Sequence, residues 1–262
     1  MKNAYPTFAN WPIRKIRQHL QQIENLSDEE FAMLQEDRRA GVRELLARHL
    51  ARREKILLEG ERLRKLGSKE KQLYKKGFRM IAGVDEAGRG SLAGPVVAAA
   101  VILGQVEDPF VWQDIDDSKK LSPEKREKLY KVIFGHSVAV GLGIVDVEMI
   151  DKINIHKASL LAMKQAIEQL RPSPHFLLVD GFRIPGIGPQ LEAIKGGDRL
   201  CLSIAAASIV AKVTRDHLMD RYDQLYPGYG FARNKGYSTP EHRKAIQSLG
   251  QTELHRKTFR LS

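Results

Sequence analysis

The chain has a single cysteine, Cys201, in 262 residues, so an intrachain disulfide is excluded. Cys201 lies in an apolar run and reads as packing rather than chemistry. No stretch approaches the roughly 18 apolar residues of a membrane-spanning helix. Met1–Asn10 has no apolar core of leader length, and the expected location is the cytoplasm. No Cys/His spacing suits zinc, and no internal repeat or low-complexity block stands out. Acidic residues are in deficit: 43 Lys and Arg face 32 Asp and Glu, a net charge of +11 that points to a polyanionic partner. The excess is uneven. Residues 1–78 hold 18 basic and 11 acidic side chains; the remainder holds 25 and 21 and keeps most of its acids.

What is present is concentrated in Val84-Asp85-Glu86-Ala87-Gly88-Arg89-Gly90-Ser91-Leu92-Ala93-Gly94. The apolar runs on either side, 80–84 and 95–103, read as strands. Two adjacent carboxylates therefore fall where a strand ends and the chain turns through two glycines around an arginine. Carboxylates beside a buried strand are costly unless they bind a cation, and the glycines leave room for a backbone or ligand to approach. A metal held next to a phosphate uses all of these features. The spacing Gly88-x-Gly90-x-x-x-Gly94 is near the dinucleotide fingerprint. Asp85 and Glu86 would repel a pyrophosphate, however, and the Val/Ala-rich segment with Pro95 predicts a strand where that fingerprint needs a helix.

Residues 11–66 have helical spacing. Ser27 and Glu30 form a capping-box pattern expected to open a long helix, with breaks at Gly60 and Gly67-Ser68. Two or three helices and a charged linker over 69–76 are expected. From Arg79 the pattern becomes strands. Ser122-Pro123-Glu124 opens a helix to about Phe134, followed by a strand over 138–145, a helix over 156–170, a strand over 176–179, a helix over 202–225, and a capped helix from Thr239-Pro240 to near Gly250. The result is an α/β protein: a mixed sheet flanked by helices on both faces, with helices at both ends of the chain. The expected boundaries are a basic helical extension over 1–78 and a catalytic domain over 79–262.

Further motifs follow in order: Asp117-Ser118-Lys119-Lys120-Leu121-Ser122; Leu177-Leu178-Val179-Asp180-Gly181; Lys195-Gly196-Gly197-Asp198; the run from Ser203 to Val213; Asn234-Lys235-Gly236-Tyr237-Ser238-Thr239; and His242. Together with the Asp85 motif, they cover about residues 79–262 and resemble the ribonuclease HII family. The arginine between Gly88 and Gly90 favours this type over its sister, ribonuclease HIII. The resemblance implies a ribonuclease H-like fold and a metal-dependent endonuclease. Its substrates would be the RNA strand of RNA–DNA hybrids and ribonucleotides embedded in duplex DNA, cut to leave 3′-hydroxyl and 5′-phosphate ends. It makes Asp85, Glu86, Asp180 and Asp198 the catalytic and metal-binding residues. Gly88, Arg89, Gly90, Ser118, Lys119 and Tyr237 become the substrate contacts. The implied partners are nucleic acids and not membranes. No protein partner is readable: Gln251-x-x-Leu254 lacks the aromatic pair of a sliding-clamp box.

The residue chemistry is compatible with this picture and leaves alternatives open. All-oxygen ligation suits Mg²⁺ or Mn²⁺, and two such ions about 4 Å apart can activate water and stabilise a leaving oxygen. On an ideal strand Asp85 and Glu86 point to opposite faces, so sharing a site requires a bend near Gly88. Asp180 alone could simply open a turn, and Asp198 could cap the following helix as well as bind metal. Arg89 could contact phosphate or ribose, or neutralise its neighbouring acids. Tyr237 could stack on a sugar or bond a 2′-hydroxyl, or be a buried structural tyrosine. His242 could shuttle protons or pack a helix. Arg43, Arg48, Arg52, Arg53 and Lys55 form either a solvated face or a duplex-binding one.

Overall fold

The computed structural model describes residues 8–104 and 109–260. Most of Met1–Asn10, the segment read as lacking a leader core, lies outside the described residues. The chain divides into two compact units, Met1–Arg62 and Leu63–Ser262.

The first unit contains α1 (Ile13–Gln22), α2 (Asp28–Gln35) and the greater part of α3 (Ala40–Leu66). Its small core joins Phe8, Ile16, Leu20, Leu34, Val42, Leu45 and Leu46. The Ser27/Glu30 capping box forms in both directions. It opens a helix of only eight residues, because the long helix starts later, at Ala40. Gly60 does not break that helix; the break comes at Gly67. One glycine costs a helix interior only about 1 kcal/mol, which 27 continuous residues tolerate.

In the second unit the expected linker over 69–76 is a helix, α4 (Ser68–Lys75). Next come β1 (Ile81–Ala87), β2 (Val96–Ile102), α5 (Pro123–His136), β3 (Ala139–Val145), α6 (Val147–Ile153), α7 (Ile155–Glu168), β4 (Phe176–Asp180), β5 (Gln190–Ile194), α8 (Leu202–Leu225), α9 (Phe231–Asn234) and α10 (Pro240–Leu249). Strand order is β3-β2-β1-β4-β5. β1, β2 and β3 pair antiparallel; β4 and β5 continue from β1 in parallel. This mixed sheet has the ribonuclease H-like architecture.

Side-chain alternation along the strands assigns the two faces. Ala82, Val84, Leu177 and Val179 join the layer beneath α7. Ile81, Leu178 and Phe176 meet Ile204 of α8 and Leu73 of α4, while Ala99 and Val101 meet α5 and α8. The first turn of α8 presses directly on β1. A Cβ at Gly83 would lie 2.0 Å from the Ser203 backbone, so only glycine permits the contact. No side chain of α8 caps its own N-terminus. Glu70 of α4 does so from a distance, accepting from the Ser203 amide (2.8 Å) and hydroxyl (2.7 Å).

Candidate active site

β1 keeps its antiparallel pairing with β2 through Asp85, Glu86 and Ala87, opposite Ala99, Ala98 and Val97. No bend precedes Glu86; the chain turns only at Gly88, where φ is +94°. What ends earlier is the pairing with β4, whose last partners are Val84 and Val179. Asp85 and Asp180 are the next residues on these two parallel neighbours. Strand alternation puts both on the α8 face. Glu86 extends from the other face at a point where β4 no longer flanks it.

Asp180 is the electrostatic hub. Burial raises the Asp85 carboxyl well above the usual carboxylate range, and Glu86 and then Asp180 raise it further. Burial also raises Glu86; Arg89 partly offsets this and Asp180 adds to it. Asp198 is raised by burial, then by Asp117 and Asp180. The acids are now turned toward protein donors. Asp85 Oδ1 accepts from the Glu86 amide at 2.7 Å, Asp180 Oδ1 from the Gly197 amide at 2.7 Å, and Glu86 pairs with Arg89 at 3.3 Å. Accordingly, no group of three or more His, Cys, Asp or Glu among the described residues forms a ready cation cage. The chemistry still fits a hard divalent cation: every donor is oxygen, the charges repel one another, and buried Glu86 Oε2 has no hydrogen-bond partner.

Asp198 lies in the 3₁₀ turn Gly197–Arg199 and does not cap α8, whose N-cap is Cys201. The capping alternative for Asp198 is therefore corrected; Glu70 takes that part. Cys201 is buried, and burial pushes its thiol up to about 12, in keeping with packing.

Two residues from the sequence motifs hold this site without having been singled out. Asp117 is 1% exposed, accepts from the Lys119 amide at 3.0 Å, and pairs with Arg199 at 3.1 Å, which pins the turn carrying Asp198. Burial pushes the Asp117 carboxyl up, but the Lys119 amide and Arg199 outweigh it and hold it low. Ser208 of α8 bonds to Asp85 and lies 3.0 Å from the Ser118 hydroxyl. Both hydroxyls are buried, so the Ser118 side chain supports Asp85 from behind. Lys119 sits in the 3₁₀ turn Ser118–Lys120, where its charge acts on Asp198.

Arg89 bridges Glu86 and the face of Phe182, 4.6 Å from the ring centre. The neutralising contact read as its alternative role is the one formed here. The two glycines flanking Arg89 differ. A Cβ on Gly88 would lie 2.0 Å from Arg215 Nε, whereas one on Gly90 would meet nothing within 4 Å. The space at Gly88 is thus already filled by Arg215, and only Gly90 leaves room outside. Tyr237 is 38% exposed rather than buried, and Arg215 and Lys212 approach its ring to 5.5 and 5.7 Å. Its loop is joined to the Gly88–Gly94 turn through Leu92 N–H donating to Gly236 O at 2.8 Å. His242 is fully buried: Nδ1 is 2.9 Å from Tyr237 O and Nε2 is 3.2 Å from His255 Nε2. Both ring nitrogens are thus engaged inside the protein, the arrangement that the packing alternative expects.

A mixed sheet with acids massed at matched strand ends, beside a basic turn and an exposed tyrosine, defines a nuclease of the ribonuclease H-like class. Residues 82–262 match the Ribonuclease HII family, and residues 12–74 match the Ribonuclease HII N-terminal domain. The chain is 50% identical to Ribonuclease HII of Lactobacillus acidophilus, covering 90% of this chain and 92% of that protein. It is 47% identical to Ribonuclease HII of Enterococcus faecalis, covering 96% and 97%. The structure of the PCNA:RNase HII complex from Archaeoglobus fulgidus matches with a TM-score of 0.60 at 30% identity, over 70% of this chain and 96% of that one. The chain belongs to the ribonuclease HII family and is a ribonuclease H.

Proposed function

We propose that this enzyme hydrolyses the RNA strand of RNA–DNA hybrids and cuts duplex DNA at embedded ribonucleotides, leaving 3′-hydroxyl and 5′-phosphate ends. Asp85, Glu86, Asp180 and Asp198 would hold Mg²⁺ or Mn²⁺. The observation that carries this reading is the set of buried, mutually repelling carboxylates around Asp180, whose raised proton affinities a divalent cation would relieve. When bound, such ions supply an acidified water and neutralise charge on the scissile phosphate.

The protein's own residues bind and orient. Arg89 exchanges Glu86 for a phosphate or ribose oxygen, and Lys119 offers an ammonium to the backbone. Ser118 steadies Asp85 through Ser208. The Gly88–Gly90 turn and Tyr237 approach one ribose, the Gly90 side being open and the Tyr237 ring presenting a stacking face and a hydroxyl. Residues 1–78 serve as a basic extension that adds affinity for duplex through side chains such as Arg43, Arg48, Arg52, Arg53 and Lys55, all exposed on α3.

The deciding assay uses one duplex with a single ribonucleotide, its 2′-deoxy counterpart and a 2′-O-methyl version, each with Mg²⁺, Mn²⁺ or chelator. Cleavage of the first alone, and only with metal, is expected. Comparable cutting of all three, or cutting in chelator, would overturn the reading.

A further inference from the structure

Two arginines are the largest fully buried side chains among the described residues, and neither forms an ion pair there. Arg215, on α8, is 0% exposed; Arg256, near the end of the chain, is 1% exposed. Burying a guanidinium without a carboxylate is expensive, and two that repel each other are more so. Their donors converge on backbone carbonyls. Arg215 donates through Nε to Pro95 O (2.9 Å), through Nη2 to Ala93 O (3.0 Å) and through Nη1 to Lys235 O (2.8 Å). Arg256 donates through Nε and Nη2 to Gly94 O (3.0 and 2.8 Å) and through Nη1 to Arg89 O (2.9 Å). All five acceptors lie in two segments: the turn that follows Asp85 and Glu86, and the loop that carries Tyr237. Arg215 also stands 5.5 Å from the Tyr237 ring, and Gly88 is kept free of a Cβ by Arg215 itself.

We infer that Arg215 and Arg256 are positioning residues for substrate selection. Acting on the back of both segments, they fix the Gly88–Gly90 turn relative to Tyr237, so that both present to the same sugar. This rests on the reading that turn and tyrosine contact the ribose. The two segments are far apart in sequence, and each is irregular backbone lying outside the named strands, so carbonyls such as those of Ala93, Gly94 and Lys235 take their donors from side chains. The forked guanidinium supplies several fixed donors from one rigid plane, which an ammonium cannot do. The attractive charge of the pair also sits directly behind the turn that meets a polyanion.

The test compares Arg215→Lys, Arg256→Lys and Arg256→Gln with the wild type. Readouts are kcat and KM on the single-ribonucleotide duplex, and amide exchange of the segments 91–94 and 236–238 in the uncut protein. A positioning role predicts a fall in kcat of about ten- to a hundredfold, as for a small misplacement at a reacting centre, with KM nearly constant. It also predicts faster exchange in both segments together, and little further loss when Tyr237→Ala is added. Variants that melt earlier yet keep kcat would overturn the inference, as would losses that multiply with Tyr237→Ala. If no variant folds, native-state exchange of the wild type decides: one shared opening of both segments supports the inference, and separate openings overturn it. Equal cutting of the 2′-deoxy duplex by the wild type would instead defeat the ribose reading itself, whatever the exchange data show.

Discussion

The side chain of Arg215 occupies the place where Gly88 would carry a Cβ: Nε is 2.0 Å from that point. Gly88 is glycine because α8 sends a buried cation behind the turn, and its φ of +94° adds a second requirement. Gly90 meets neither constraint.

The two glycines therefore separate by experiment. Gly88→Ala should destabilise the fold by roughly 1–3 kcal/mol from backbone strain, with more from displacing Arg215. Gly90→Ala should unfold within about 0.5 kcal/mol of the wild type and lose affinity for the ribonucleotide duplex instead. Urea unfolding and KM measured side by side check this; a Gly90→Ala protein that is destabilised but binds normally would contradict it.

Glu70 yields a contrast of the same kind. Glu70→Ala leaves the Ser203 amide at the buried start of α8 without its acceptor and should cost about 1–3 kcal/mol. Glu70→Gln keeps a carbonyl oxygen there. Because burial raises the Glu70 carboxyl, the amide should be at least as stable as the wild type above neutral pH. Thermal melts of the two variants distinguish this cap from a charged surface contact, which both changes would remove equally.

Some of this was legible in the residues and some was not, for physical reasons. The bounds of α8 follow from an Ala-rich start and an apolar run, and they match at both ends. Asp85 and Asp180 were readable as acids at strand ends, after Ile-Ala-Gly-Val and Leu-Leu-Val, but only the family resemblance set Asp180 apart from a turn-opening aspartate; their adjacency needed the parallel register of Val84 with Val179. The strand β5 escaped because Gln190–Ile194 is a half-buried edge with two polar residues in five. Glu70 looked like linker charge, since its partner Ser203 is 133 residues away. Arg215 and Arg256 drew no reading for the same reason: nothing local tells a buried arginine from a solvated one.

Asp85 should show a conflict between stability and function. Its folded-state proton affinity is raised above the unfolded value, chiefly by burial and then by Glu86 and Asp180. Ionising it therefore penalises the fold. Without divalent cation, stability should fall as pH rises from the ordinary Asp range through the raised folded value, and the full penalty should apply above that. Asp85→Asn removes the charge, so in chelator at neutral pH it should melt higher than the wild type, and with Mg²⁺ or Mn²⁺ supplied it should lose the cleavage that the wild type shows. An Asp85→Asn protein that melts lower, or that still cuts, would refute the assignment.

The buried histidine pair produces the opposite slope. Tyr237 O can only accept, so His242 Nδ1 carries the proton and its Nε2 is bare. The Thr252 amide donates to His255 Nδ1 at 2.9 Å, so His255 Nε2 carries the proton and donates to His242 Nε2. Only neutral rings satisfy this chain, since a proton added to either ring sets two donors face to face. Burial, with His242 adding to it, lowers His255 from 6.5 to about 4, and burial lowers His242 as well. A depressed histidine contributes stability that is complete above the unfolded value and is lost as pH falls from about 6.5 toward 4. Between pH 7 and pH 5 the wild type should lose roughly 2 kcal/mol through His255 alone, at about 1.4 kcal/mol per proton and pH unit. His255→Gln should lose correspondingly less over the same interval, although it is less stable at pH 7. Urea midpoints at the two pH values measure the difference. Parallel pH dependence in both proteins would mean that the pair does not hold the Tyr237 loop in its neutral form.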